Sequence, residues 1–364
     1  MKNRPRFCYF LSGKENCVEL GSALWKKAIP MSRHMQCPRA DHAGVRYEDF
    51  FSAVRAFLEK NRFGIITTAI FAQTGRRMQP ADIENVLIFL EKHGGFYHPA
   101  RVEIECVGVS TTFVVNVAFS RAGKDHIHRE YAQLKKLNRD TGFTFIPRVY
   151  GLESAFGADM FMGEWFHDFS EFHISHGAPG EKQEIVVWDT GRGSYFLSLQ
   201  QVSALYGEAA FILTSLYNIT TFHQVFSWHH AAGDFIIKPS GDNDLQVRLI
   251  TVRRYAPLVE VEDPDAETVV EALVIFLISL SVRMCLDRVD GVGDMVWAGD
   301  AAVAPTIRGF FRALKLKSEA GLLPPDFVSS FRAYLQSYSV AETLDMAVSI
   351  CERFPRNPEE MAVI

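Results

Sequence analysis

Trp228-His229-His230-Ala231-Ala232-Gly233-Asp234-Phe235-Ile236-Ile237-Lys238 places two histidines and an aspartate in a short polar loop and then runs directly into an apolar strand. A Pro-Ser-Gly-Asp-Asn turn follows at 239–243, and a second strand opens at Leu245-Gln246-Val247-Arg248-Leu249-Ile250 and ends in Thr251-Val252-Arg253-Arg254. Turn residues between two apolar runs predict a hairpin. A polar loop anchored by such strands is a favoured place for residues that bind or react. Imidazole is a workable general base near neutral pH, and an anionic carboxylate oxygen suits magnesium, so His229, His230 and Asp234 are the candidate chemical groups. Adjacent strand residues face opposite ways, so only one of Arg253 and Arg254 is expected to reach the loop.

Working outward, Leu199 to Leu216 predicts one long helix that delivers the chain to this loop. Before it the pattern is mostly of strands. Val102, Ile104 and Cys106 alternate with Arg101, Glu103 and Glu105, the period of a half-buried strand, and Phe113-Val114-Val115-Asn116-Val117-Ala118-Phe119 predicts a more buried partner. Asn116 is a polar intrusion there and requires a hydrogen-bond partner. Ile127, Tyr131, Leu134 and Leu137 mark a helix carrying Glu130 on its polar side, and Met160 to Phe166 reads as another strand, containing Glu164. Phe172–Ser175 and Glu184–Trp188 predict a further hairpin. Nearer the N-terminus, Phe50, Phe51, Val54, Phe57 and Leu58 predict a helix over Tyr47–Asn61, with a second over Ile65–Gln73. Pro80-Ala81-Asp82 predicts the start of a third, with Ile83, Val86, Leu87 and Leu90 on one face. Past Glu267 the periodicity is helical, over 267–286, 305–316, 325–337 and 341–353.

These patterns predict an irregular extension over 1–44, a helical segment over 45–95, a sheet region with one helix over 96–166, and a mainly helical region over 167–364 that carries the 228–254 segment. At 364 residues the chain exceeds the usual single-domain size, so two lobes or domains are expected. Hydrophobic residues at 48% against 22% charged ones favour a globular class over a disordered one. The net charge of -5, without a basic stripe, argues against nucleic acid as the main partner. No apolar run approaches the roughly twenty residues needed to cross a bilayer, so no membrane association is expected. Six cysteines without a Cys-x-x-Cys pair, and an N-terminus without a signal-peptide pattern, suggest a cytoplasmic protein with free thiols. Cys8, Cys17, His34, Cys37 and His42 have zinc-ligand chemistry in a spacing that fits no common finger. Asp294, Trp297 and Asp300 form a polar, aromatic loop that reads either as part of an acceptor pocket or as an ordinary helix connection.

The order of these features is strand hairpin, helix with central Glu130, Ile146-Pro147-Arg148-Val149-Tyr150, strand ending in Glu164, long helix, His/Asp loop, two short strands and helices. It resembles the aminoglycoside phosphotransferase and choline kinase branch of the protein-kinase-like fold, over residues 100 to 260. The resemblance implies an α+β, two-lobed architecture, a small antiparallel sheet lobe followed by a mainly helical lobe. It implies ATP and magnesium as cofactors and a small-molecule hydroxyl as acceptor. In that family the buried strand carries a phosphate-contacting lysine, here replaced by Asn116, and the next helix supplies its glutamate, here Glu130. Asn116, Glu130, Glu164 and Arg253 are thereby implied to bind nucleotide or phosphate.

The family's His-Gly-Asp loop with a later Gly-Asn aligns in two ways. One puts Asp234 at the metal position and His229 at the base position; the other makes Asp234 the base, with His230 opening the motif. The family's second metal-binding aspartate falls near Thr251 or Val252, neither of which carries charge, and Arg253 brings a guanidinium instead. Three expectations therefore stand side by side. They are an ATP- and magnesium-dependent phosphotransferase with an altered catalytic set, a catalytically inactive kinase-fold module that binds a ligand or protein, and an unrelated α+β protein.

Overall fold

A computed structural model of the chain describes residues 4–30, 44–92, 94, 96–175, 184–189, 191–229, 233–241, 243–291, 293–353 and 363. It divides into two units, Met1–His167 and Asp168–Ile364. The architecture is mixed α+β, with an N-terminal sheet and a helical C-terminal part. Among the described residues no helix is long and apolar enough to cross a membrane.

The first unit contains β1 (Arg6–Leu11), α1 (Tyr47–Thr74), β2 (Ile83–Leu90), β3 (His98–Cys106), β4 (Val109–Ala118), α2 (Arg121–Thr141), β5 (Val149–Ala155) and β6 (Ala158–Glu164). Its six strands lie in the order β1-β2-β3-β4-β6-β5, antiparallel except for the parallel β1–β2 pair. β3 is buried at every second residue, as its alternation predicts, so His98, Ala100, Val102, Ile104 and Cys106 share one face. α1 packs on that face through Phe50, Phe51, Phe57, Leu58, Ile66 and Ile70, all essentially inaccessible. At about 1.5–3 kcal/mol for each fully buried side chain, this apolar layer outweighs surface ion pairs such as Arg55–Glu59 at about 0.3–0.5 kcal/mol.

Two local expectations fail here. The predicted helix after Pro80 is only a 3-10 turn over Pro80–Asp82, and the chain continues as β2. Ile83, Val86, Leu87 and Leu90 do fall at helical spacing, but β2 is buried on both faces, and a continuous apolar run carries no periodicity that separates the two structures. Its far face, formed by Leu87 and Phe89, packs with Phe10 and Cys8 of β1, and the Arg101 guanidinium lies 3.8 Å from the Phe89 ring centre. Residues 6–11, expected to be irregular, form β1 in register with 85–90. Only pairing with a segment far along the chain makes that strand. Residues 60–63 leave helical geometry inside α1, with positive φ at Asn61, Arg62 and Phe63, which matches the expected break between two helical stretches.

The second unit opens with β7 (Glu171–Ser175), β8 (Glu184–Asp189) and β9 (Gly193–Phe196), a three-stranded antiparallel sheet. The turn expected at 177–180 lies outside the described residues. Then come α3 (Leu199–Leu216), β10 (His223–Val225), β11 (Phe235–Pro239), β12 (Leu245–Leu249), β13 (Tyr255–Pro257), α4 (Ala266–Met284), β14 (Leu286–Arg288), β15 (Met295–Trp297), α5 (Val303–Glu319), α6 (Phe327–Gln336) and α7 (Val340–Arg353). β11 and β12 form the expected hairpin, while β10 pairs with β13 beyond it. The strand predicted through Arg254 stops at Leu249. Ser170 and Ile237 exchange backbone bonds of 2.8 and 3.0 Å, tying the segment before β7 to the hairpin.

Helices α3 and α5 meet at glycine. A Cβ built on Gly309 would stand 2.1 Å from the Gly207 carbonyl oxygen and 3.0 Å from the Ala210 methyl, so the contact distance is set by the absent side chain. Lys317 on α5 donates to the Ser215 carbonyl at 2.7 Å across the same interface. Gly309→Ala is therefore expected to destabilise the protein by about 1–3 kcal/mol through overpacking, despite the better helix propensity of alanine. Urea unfolding of the two proteins measures this; an unchanged or raised midpoint contradicts the packing account.

Candidate functional site

Asp234 lies between the polar loop and β11. Gly233 ahead of it holds a positive φ of 81°, and Phe235 behind it begins β11, so the carboxylate sits where a turn enters a strand. The side chain is almost fully buried, at 2% exposure. Its Oδ2 accepts the His229 backbone N–H at 2.9 Å and the Arg253 Nη1 at 2.5 Å. The Asp234 carbonyl also accepts the Ile250 N–H at 2.8 Å, which bends the chain after β12 back over the loop and carries Arg253 to the carboxylate.

Burial pushes the Asp234 carboxyl up to about 6. The Arg253 charge and the two hydrogen bonds pull it down, and the buried Asp287 adds a smaller upward push. The ordinary expectation that a neighbouring guanidinium depresses a carboxylate is thus outweighed by removal from water. Arg253 also lies 3.4 Å from the Ser227 carbonyl. His229 meets Asp234 through its backbone, and His230 lies outside the described residues.

The donor set fits a guanidinium and not magnesium. Magnesium requires closely placed anionic oxygens, whereas the Asp234 carboxylate is engaged by Arg253 and His229, and Val252, near the position where the resemblance places a second aspartate, is a fully buried hydrocarbon. Among the described residues no group of three or more His, Cys, Asp or Glu side chains is arranged to hold a metal. The assignment of Asp234 as a magnesium ligand is not supported by this geometry. Cys8 and Cys17 are free thiols, and the remaining residues of the imagined zinc set lie outside the described residues.

Arg253 and Arg254 diverge, as expected, although they lie beyond the end of β12 and strand alternation is not the cause. Arg253 turns to Asp234, and the exposed Arg254 lines a cavity of about 200 Å³ beside Phe226 and Trp228. Arg283, from the last turn of α4, lies against the same two rings, 5.0 Å from the Phe226 centre and 5.7 Å from that of Trp228, with its Nη2 3.3 Å from the Trp228 carbonyl. Nothing in the α4 sequence singles out Arg283 beyond its being the one basic residue of a largely apolar helix.

The other candidates belong to the first unit. Asn116 in β4 is buried as expected, opposite Pro99 and Phe161 in the ladder. Glu130 differs from expectation: its helix face is not solvated, and the residue is wholly buried. His126, one turn earlier, places Nε2 3.6 Å from the Glu130 carboxylate, so a basic group on the same helix stands beside it. Phe96 stacks on His126 with ring centres 4.7 Å apart. The i,i+4 His-x-x-x-Glu spacing is the signal in the sequence for this neighbour. Glu164 accepts the Arg148 backbone N–H at 3.2 Å and returns an N–H to the Arg148 carbonyl at 2.8 Å, a strand-end clamp between β5 and β6. Trp297 donates its indole N–H to Asp300 at 3.0 Å, which closes the 294–300 connection on itself.

The sign of the pH effect at Asp234 follows from the direction of its shift. With a folded value of about 6 above the ordinary 3.8, the folded chain holds a proton that the unfolded chain has released between those limits. Its stabilising contribution is complete below pH 3.8 and is lost as pH rises through about 6. Asp234→Asn fixes the neutral form, so the stability of the native protein relative to this variant is expected to fall from about pH 4 to about pH 6. Urea midpoints across that window test it, and parallel profiles would contradict the buried-carboxylate assignment.

No protein-family model matches this chain, and no curated protein matches it.

Proposed function

We infer that this chain is a kinase-fold-like binding module from which metal-dependent phosphoryl transfer has been lost. The observation that carries the reading is the Arg253–Asp234 pair at 2.5 Å. In the family that the element order resembles, the corresponding segments hold magnesium between an amide or carboxylate and a second aspartate. Here a covalently attached cation engages the Asp234 carboxylate, and near the position of the second aspartate stands Val252. Phosphoryl transfer relies on mobile metal charge bridging the phosphates and on a positioned base, so a guanidinium locked to the carboxylate removes one requirement outright. Asn116 in place of the strand lysine removes another, and His126 stands beside the buried Glu130. The fold reading itself is supported by the order β3-β4-α2-β5-β6, α3, loop and β11-β12 hairpin.

A second reading is favoured by one observation. A carboxyl titrating at about 6 has the proton affinity of a general base at neutral pH. This supports an ATP- and magnesium-dependent phosphotransferase acting on a small-molecule hydroxyl, with Asp234 as base. Against it stand the 2% exposure of Asp234 and the guanidinium that covers it.

Incubating the full chain with ATP, and with magnesium or EDTA in parallel, separates the two. The binding-module reading expects no ADP release above the protein-free control, and any ATP-dependent rise in melting temperature to be the same with and without magnesium. Magnesium-dependent ADP release that disappears in Asp234→Asn would establish the phosphotransferase instead.

A further inference from the structure

The cavity beside Phe226 and Trp228 is built differently from the Asp234 site. One wall is a single face of α4, with Phe276, Ser279, Leu280 and Arg283 at i, i+3, i+4 and i+7 spacing. The opposite wall is the β10–β13 pair and its extension, where Phe226 donates its N–H to the Arg254 carbonyl at 2.9 Å and Pro257 and Leu258 complete the apolar lining. Two arginines and no carboxylate occur among the described lining residues. Arg283 is only 7% exposed, and its planar group is held against aromatic rings. A guanidinium tolerates such a place better than an ammonium, being weakly hydrated and able to stack. Ser279 adds an independent sign of polar function: its Oγ is buried in the same helix face and has no hydrogen-bond partner among the described residues. A buried hydroxyl left unsatisfied beside two cations, in an otherwise apolar hollow, is the complement of a small molecule with one anionic end.

We propose that this cavity is a binding site for a small amphipathic carboxylate, a single-ring or branched short-chain acid. The carboxylate is received by Arg283, Arg254 and the Ser279 hydroxyl, and the hydrocarbon rests on Phe226, Trp228, Phe276 and Leu280. The volume of about 200 Å³ sets the size class, since pockets for larger ligands run from about 300 to 1,000 Å³. A carboxylate is the matching anion because its two oxygens fit the donor fork of arginine. The site stands on this lining and is independent of whether the chain binds a nucleotide.

Titration calorimetry on the full chain with 3-phenylpropionate, 4-methylpentanoate and the neutral amide of each tests the proposal. The acids are expected to bind, with the amides about tenfold or more weaker. Arg254→Ala, at an exposed position, is expected to weaken the acids by a similar factor. Ser279→Phe, which fills the hollow, is expected to abolish their binding while circular dichroism and the urea midpoint report that the chain remains folded. If Ser279→Phe fails to fold, the Arg254→Ala comparison decides by itself. Equal binding of acid and amide, binding indifferent to Arg254→Ala, or no binding of either acid at millimolar concentration would each overturn the assignment.

Discussion

A carboxylate cannot be removed from water without compensation, and in this protein that requirement organises the segment from 226 to 254. Asp234 receives an N–H from the turn before it and a guanidinium from beyond the hairpin, so a single side chain joins the loop, β11 and the stretch after β12. The Asp234 carbonyl accepts Ile250 and closes the same circuit through the backbone. Breaking one partner would leave a buried charge exposed to the interior, and that penalty exceeds the worth of any surface pair in the molecule. These hydrogen bonds tie the loop to the stretch after β12, while the hairpin itself rests on Phe235, Ile237, Val247 and Leu249.

Compensation within the protein also explains why the site differs from what its residue types suggested. Histidine and aspartate in one loop, with an arginine just beyond the hairpin, are the materials of phosphoryl transfer, but their chemistry depends on what is left to react. The Asp234 carboxylate is engaged with Arg253, and His229 contributes its backbone. In the first unit, likewise, the buried Glu130 has a side chain of its own chain beside it, the His126 imidazole. Each unit thus buries an acid and answers it with a nearby basic group from its own chain.

The turn at Phe156-Gly157 shows how local rules and burial divide the work. Both residues have positive φ, 48° and 76°, the geometry that a two-residue hairpin needs to match strand twist, and the sequence Phe-Gly meets it with an exposed aromatic and a glycine. Such features are written locally. The identity of β2 is not, because its continuous apolar run satisfies a helix stripe and a two-sided strand equally well, and only its position between β1 and β3 selects the strand.

The amino-acid sequence alone determined the β3 alternation, the α2 and α3 helices and the β11–β12 hairpin, because each of these follows from periodicity and turn chemistry within a few residues. It also placed Asp234 at a strand entrance, and so located the candidate site. Tertiary structure decided what these residues do there. That Asp234 is buried, that Arg253 returns to it, that Glu130 is enclosed beside His126, and that Arg283 and Ser279 border a hollow with Arg254 are consequences of segments distant in the chain meeting in space. Burial governs the energy of a charge far more than its residue type, and burial is a property of packing that no short stretch of sequence contains.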